Sequence, residues 1–261
     1  MPKFAANLTM LYTDCSFMDR FARAKRSGFH YVEYLFPYEY DIKEIASNLQ
    51  QHDLNQVLFN LPAGNWNVGE RGIAAHPDRI DEFRRGVRTA VEIAQVLRVN
   101  QLNCLVGKRD DAVPIEDQQR VMIENLRYTA HYLAEQNILL LVEMLNPYDV
   151  PNFLIASPRA AFEIQDQVAF PNLKIQYDVY HAQRTTGELA NTIHKHLDRI
   201  GHLQVADNPG RHQPGSGEIN YRFLFDWIER CGYTGYIGLE YVPEGTTEQS
   251  LNWINEYGYS L

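Results

Sequence analysis

Cysteine is scarce in this 261-residue chain: Cys15, Cys104 and Cys231 lie far apart and none belongs to a CxxC pair. That spacing excludes a disulfide framework and points to a reducing, cytoplasmic setting. Long apolar runs are missing too. No stretch of 18 uncharged apolar residues occurs, so no membrane-spanning helix is expected. The opening MPKFAANLTMLYTDC lacks the basic, apolar, then small-residue order of a signal peptide. Positive charge is in deficit, with 24 Lys and Arg against 33 Asp and Glu, a net charge of −9. Such a balance argues against nucleic-acid or anionic-membrane partners, which need clustered cations to neutralise phosphate. A small anionic substrate stays compatible, provided local positive charge offsets the background. Linkers, low-complexity tracts and tandem repeats are absent as well, so one domain over residues 1–261 is expected. The composition leaves a homo-oligomer open.

What the chain has in quantity is alternation. Short apolar runs read as buried strands: PKFAANLTM, FHYVEYLF, NQVLFNLP, NQLNCLVG, ILLLVEML, LKIQYDVY, GHLQVAD and GYIGLEYV. Segments of helical period separate them, from SFMDRFARAKRSGF, with Gly28 as its stop, to TTEQSLNWINEY at the end. Pro77 and the Ser157-Pro158 pair mark helix starts. Eight strands each followed by a helix, about 30 residues per unit, is the count of an α/β fold of the (β/α)8 TIM barrel type. The competing doubly wound sheet would carry a Gly-rich turn after its first strand, and NLTMLYTD is not one.

Barrels of this kind build their active sites at the C-terminal ends of the strands. Those ends read Asn7, Glu33, Asn60, Asn103, Glu143, Asp178, Gln204 and Glu240. The last four each follow an apolar run: LLLVE, KIQYD, HLQ and YIGLE. A lone acid in such a place is usually a helix cap or a surface charge. Three acids converging in one cavity would cost several kcal/mol unless protons or a cation intervene. A divalent metal is the economical solution. Carboxylates and an amide oxygen are hard donors that suit Mg²⁺ or Mn²⁺ better than Zn²⁺.

At these residues the chain resembles the hydroxypyruvate isomerase family of xylose-isomerase-like barrels. The likeness runs through FAANLTML, FPYEYD, NLPAGNWNVGERGIAAHP, NCLVGK, VEMLNP, LKIQYDVYHAQ, GHLQVADNPGRHQPGSGEINY and GLEY, essentially the whole length. It implies that Glu143, Asp178, Gln204 and Glu240 ligate the metal, and that Glu143 and Glu240 are also the acid/base pair. It further implies that His181 and Arg211 face a small hydroxy-oxo acid substrate. Asn60 at the third strand end is another candidate contact, and Lys108 could add positive potential, although a solvated lysine is the plainer reading. The long loop NLPAGNWNVGERGIAAHP reads as an active-site lid. Arg71 within it could meet a substrate carboxylate, and Glu70 is either a further contact or the partner of Arg71. The implied chemistry moves a carbonyl to the neighbouring carbon through an enediol, with one carboxylate at each face.

Three alternatives compete with hydroxypyruvate isomerisation. A 2-oxo-tetronate isomerase or ketose epimerase would use the same parts. A DNA-repair endonuclease on this barrel would need a histidine-rich multi-zinc site and a basic groove, against which Gln204 and the charge of −9 both speak. A non-catalytic sugar-acid binding protein would have no use for an intact acid pair.

Overall fold

The eight expected strands form where the apolar runs lie. In the computed structural model, which describes residues 1–261, they are β1 (Lys3–Asn7), β2 (Tyr31–Glu33), β3 (Asn55–Asn60), β4 (Gln101–Cys104), β5 (Leu139–Glu143), β6 (Leu173–Asp178), β7 (Ile200–Val205) and β8 (Tyr236–Leu239). Neighbours pair in parallel, and β8 returns to β1 from Lys3↔Tyr236 to Ala6↔Leu239, closing the barrel. The helices are α1 (Phe17–Arg26), α2 (Ile42–Gln51), α3 (Ile80–Leu97), α4 (Ile115–Glu135) and α5 (Pro158–Val168). After β6 come α6 (Val179–Gln183) and α7 (Leu189–Lys195), followed by α8 (Tyr221–Arg230), α9 (Thr247–Ser250) and α10 (Asn252–Glu256). None is long and apolar enough to cross a membrane.

Local chemistry sets the helix boundaries. The side chains of Ser16, Asp41 and Ser157 each accept an N–H of the first turn of α1, α2 and α5, satisfying donors the helix cannot. Pro158 occupies the first helical position of α5, where its missing N–H costs nothing. Gly28, at φ +103°, ends α1 in a conformation that L-residues rarely adopt. Pro77 opens a 3₁₀ turn, Pro77–Arg79, so α3 itself begins only at Ile80.

Two expected elements come out differently. LKIQYDVY is not all strand, because Asp178 Oδ1 accepts the N–H groups of Tyr180 (2.7 Å) and His181 (3.3 Å). That double cap turns the chain into α6 at once, overriding the strand preference of Val179 and Tyr180. TTEQSLNWINEY likewise divides at Leu251 into α9 and α10.

A large apolar cluster, including Phe59, Val87, Leu102, Leu126, Leu140 and Phe225, joins the strands to the helix ring. Inside, period-two alternation stacks Leu139, Leu141 and Glu143 on one face of β5. The same alternation puts Gln101, Gln176 and His202, all buried, one layer beneath the strand-end residues. Ala5, Leu58 and Leu141, which also stand two residues before strand-end residues, share that layer in a small apolar cluster with Val57. The barrel interior is thus polar at its C-terminal mouth, with polar and apolar side chains mixed in the layer beneath.

Candidate active site

Glu143 and Asp178 end β5 and β6, Gln204 lies one residue before the end of β7, and Glu240 directly follows β8. All four are buried. Burial first, then the charges of Glu240 and Asp178, push the Glu143 carboxyl well above the ordinary carboxylate range. Burial also raises Asp178. Glu240 is pushed up to about 8, with burial outweighing the opposing pull of Arg211. Without a cation the cluster therefore holds on to protons near neutral pH, as like charges out of water must.

A guanidinium supplies part of the compensation. Arg211 Nη2 donates to Glu240 Oε2 at 2.6 Å and lies 3.7 Å from Asp178 Oδ2. Its left-handed backbone (φ +56°) and the face of Tyr180, 5.0 Å from the guanidinium, help aim it inwards. These acids hold Arg211 above its ordinary pKa even though burial pulls the other way.

Supporting amides orient the acids. Asn103 Nδ2 donates to Glu143 Oε2 (2.9 Å) and to Asn60 Oδ1 (3.1 Å). Gln204 Nε2 bridges Glu33 Oε1 (2.7 Å) and Glu240 Oε1 (3.3 Å), and its own Oε1 accepts from Gln176 Nε2 (2.6 Å). Asn7 Nδ2 makes a second bridge between Glu33 (3.0 Å) and Glu240 (3.2 Å). Glu33, fully buried, is also 2.7 Å from His202 Nε2. Gly238 leaves room for that carboxylate, since a Cβ there would lie 2.3 Å from Glu33 Oε1.

Ligand atoms of Glu143, Asp178 and His181 come within 4.8 Å of one another, a grouping that could hold a metal ion. The tautomer of His181 limits its part in this. Its Nδ1 accepts the backbone N–H of Asn146 at 3.1 Å, so a neutral ring carries its proton on Nε2. Burial, with Arg211 and Arg184 adding to it, lowers His181 well below the usual range and keeps it neutral. A metal-ligating histidine ordinarily donates through its other nitrogen. Here the other nitrogen accepts, so Nε2–H faces the cavity as a donor.

Glu143, Glu240, His181, Arg211, Asn60 and Arg71 line one cavity of about 230 Å³. Lys108 and Glu70 do not. Lys108 Nζ donates to the Gly69 carbonyl (3.1 Å). Glu70 pairs with Arg79 at 2.7 Å and accepts the N–H of Asn65, not the guanidinium of Arg71. Both residues fasten the 60–77 loop instead of reaching its cavity. The loop is further pinned at Gly72, where φ is +109° and a Cβ would lie 1.8 Å from the Leu105 carbonyl oxygen. Its Trp66 and Arg71 stand over the cavity, the guanidinium lying 3.6 Å above the indole. A larger neighbouring cavity, about 580 Å³, shares Trp66 and Leu35 with this one but carries only one acid, Glu39. The convergent chemistry is in the smaller cavity.

Sequence reasoning named Asn7 and Asn103 only as polar strand ends and did not single out His202 at all. A signal existed for His202: in HLQ it stands two residues before Gln204 and so shares its inward face.

The profile described as the xylose isomerase-like TIM barrel matches residues 21–257. A hydroxypyruvate isomerase from Escherichia coli is 48% identical over 257 residues, covering 98% of this chain and 100% of that protein. A 2-oxo-tetronate isomerase from Pectobacterium atrosepticum is 45% identical, covering 98% of each. A crystal structure from Brucella melitensis, described as an AP endonuclease of family 2, is 42% identical with a TM-score of 0.95, covering 98% of this chain and 99% of that one.

Proposed function

The chain belongs to the xylose isomerase-like TIM barrel family, among its hydroxypyruvate and 2-oxo-tetronate isomerases, and from that premise we propose that it interconverts hydroxypyruvate and 2-hydroxy-3-oxopropanoate. The observation that carries this reading is the pair of buried carboxylates, Glu143 and Glu240, facing one small cavity, both raised above the ordinary carboxylate range by burial and Glu240 to about 8. A group that both takes and returns a proton works best when its pKa lies near the working pH.

The reaction removes a proton from C3 and returns one to C2, while the hydroxyl proton of O3 ends on O2. The two carboxylates act as one acid/base pair, which one proton more or less divides between donor and acceptor. Asn103 holds Glu143, and Arg211 with Gln204 and Asn7 holds Glu240, so neither acid swings away during the transfer. His181 Nε2–H and the Asn60 amide donate to substrate oxygens. Trp66 lines the cavity and keeps bulk water off the enediol during the transfer, while the carboxyl protons equilibrate with solvent between turnovers.

The residues fit a divalent cation. Asp178 Oδ2 is buried with no hydrogen-bond donor, and three raised carboxyls would lower their energy by exchanging protons for a metal. Glu143, Asp178 and Glu240 would hold Mg²⁺ or Mn²⁺, with Gln204 joining only if its amide turns its oxygen from Gln176 towards the acids, and when bound the ion supplies positive charge that steadies the enediol oxyanion. Arg211 supplies part of the same compensation from within the chain.

The four-carbon reaction on 2-oxo-tetronates is the second reading, favoured by the 45% identical relative. Purified protein assayed on both acids, with and without chelator, separates them. The first reading requires a higher kcat/KM on hydroxypyruvate and solvent deuterium on the receiving carbon in D₂O. Absence of turnover on either acid would end the proposal.

A further inference from the structure

Two cations line the catalytic cavity, Arg71 and Arg211. They stand in different electrostatic company. Arg211 is bound to Glu240 at 2.6 Å with Asp178 at 3.7 Å. Two acids already occupy that one guanidinium, so a substrate carboxylate brought there would have to compete with them for it. Arg71 forms no ion pair. One of its nitrogens, Nη1, donates to two backbone carbonyls, of Glu70 (2.7 Å) and Trp66 (3.2 Å). Nε and Nη2 have no protein acceptor. Stacking on Trp66 at 3.6 Å fixes the plane of the guanidinium, which leaves a preset two-nitrogen edge.

The surrounding loop keeps it that way. The adjacent acid, Glu70, would be the natural partner of Arg71, but Arg79 and the Asn65 N–H engage it. The cavity's other acid outside the cluster, Asp149, pairs with Arg184 at 3.0 Å. We infer that Arg71 receives the substrate carboxylate and makes the site select sugar acids over neutral sugars of the same length. This rests on the proposed isomerase reading and deepens it: Arg211 balances the acids that do the chemistry, while Arg71 reads the substrate.

The test compares hydroxypyruvate with dihydroxyacetone, its neutral counterpart, in which CH₂OH replaces the carboxylate and the same enediol chemistry applies. Arg71→Met retains an apolar cover for Trp66. It should lower kcat/KM on hydroxypyruvate by about 10–100-fold, mainly through KM, as expected for losing a charge-assisted double hydrogen bond. Its kcat/KM on dihydroxyacetone should fall clearly less, so that the preference for the acid over the neutral substrate drops about tenfold or more. Arg71→Lys keeps charge but not the planar edge and should show a smaller loss on the acid alone. Equal losses on both substrates in both variants, or no loss on the acid, would overturn the inference. Calorimetry with glycerate, which does not isomerise, reads the same contact without turnover. Wild-type binding that Arg71→Met weakens at least tenfold supports the role even if the isomerase reading fails, whereas unchanged or undetectable binding in both sinks it.

Discussion

Glu143 and Glu240 each combine a charge with a supporting amide, and a glutamine at either position separates the two. In Glu143→Gln the new amide oxygen could still accept from Asn103 Nδ2, preserving the shape of the site while removing the proton-transfer group. Glu143→Gln and Glu240→Gln are each expected to lower kcat by a factor on the order of 10²–10⁴, the worth of a lost general acid or base. Wild-type turnover in either would defeat the two-carboxylate mechanism. Asp178 needs a different pair of substitutions because its two oxygens have separate tasks. Oδ1 caps α6, and Oδ2 is buried without a donor. Asp178→Asn keeps a capping oxygen but loses the charge, so the fold should persist while divalent-ion binding, followed by calorimetry, weakens strongly. Asp178→Ala should lose the ion as well as about 1 kcal/mol of stability, the usual value of a cap. Equal ion affinity in Asp178→Asn and wild type would remove Asp178 from the ligand set.

The 60–77 loop shows how an element, not a single side chain, positions the substrate-reading group. Gly72 is its tightest point, so Gly72→Ala must displace either the loop or β4's continuation at Leu105. The expected result is a kcat/KM at least about tenfold lower with the barrel intact, because sub-ångström to ångström misplacement at a site is costly. Unchanged kinetics with unchanged circular dichroism would show that the loop does not aim Arg71. Elements of this kind divide what a sequence can disclose. The strands, the helix start at Ser157-Pro158 and the polar strand ends were legible because each depends on residues a few positions apart. The partners of Glu70 and Lys108 were not, since Arg79 and the Gly69 carbonyl win by loop geometry that no local pattern encodes. Asp178 was legible as an acid at a strand end but not as the cap that stops the strand. The internal counter-charge from Arg211 to Glu240 spans 29 residues and two different strand–helix loops, and nothing short of the closed barrel brings them together.

For the whole molecule, the buried acids couple stability to pH in a direction opposite to that of ordinary surface carboxylates. In the unfolded chain Glu240 ionises near 4.5, whereas in the folded protein it holds its proton up to about 8. Glu143 and Asp178 shift the same way. A raised carboxyl stabilises the fold fully below its unfolded pKa, and that contribution disappears as pH rises through the folded value. His181 runs against this below 6.5, since its folded ring resists the protonation that the unfolded chain accepts. The carboxyl effect is therefore cleanest between about pH 6.5 and 8, where each extra native proton changes stability by about 1.4 kcal/mol per pH unit. Chelator-treated protein should lose thermal stability across that window. Glu240→Gln, which cannot ionise, should lose less, and the difference between the two slopes isolates Glu240 from every other titrating group. A divalent ion reverses the sign, because it binds the ionised acids and binds more tightly as pH rises. Denaturant unfolding of both proteins at pH 6.5, 7.25 and 8, with and without Mg²⁺ or Mn²⁺, measures all of this. Parallel slopes for wild type and Glu240→Gln would mean that Arg211 compensates Glu240 fully, leaving its carboxyl ionised in the metal-free fold.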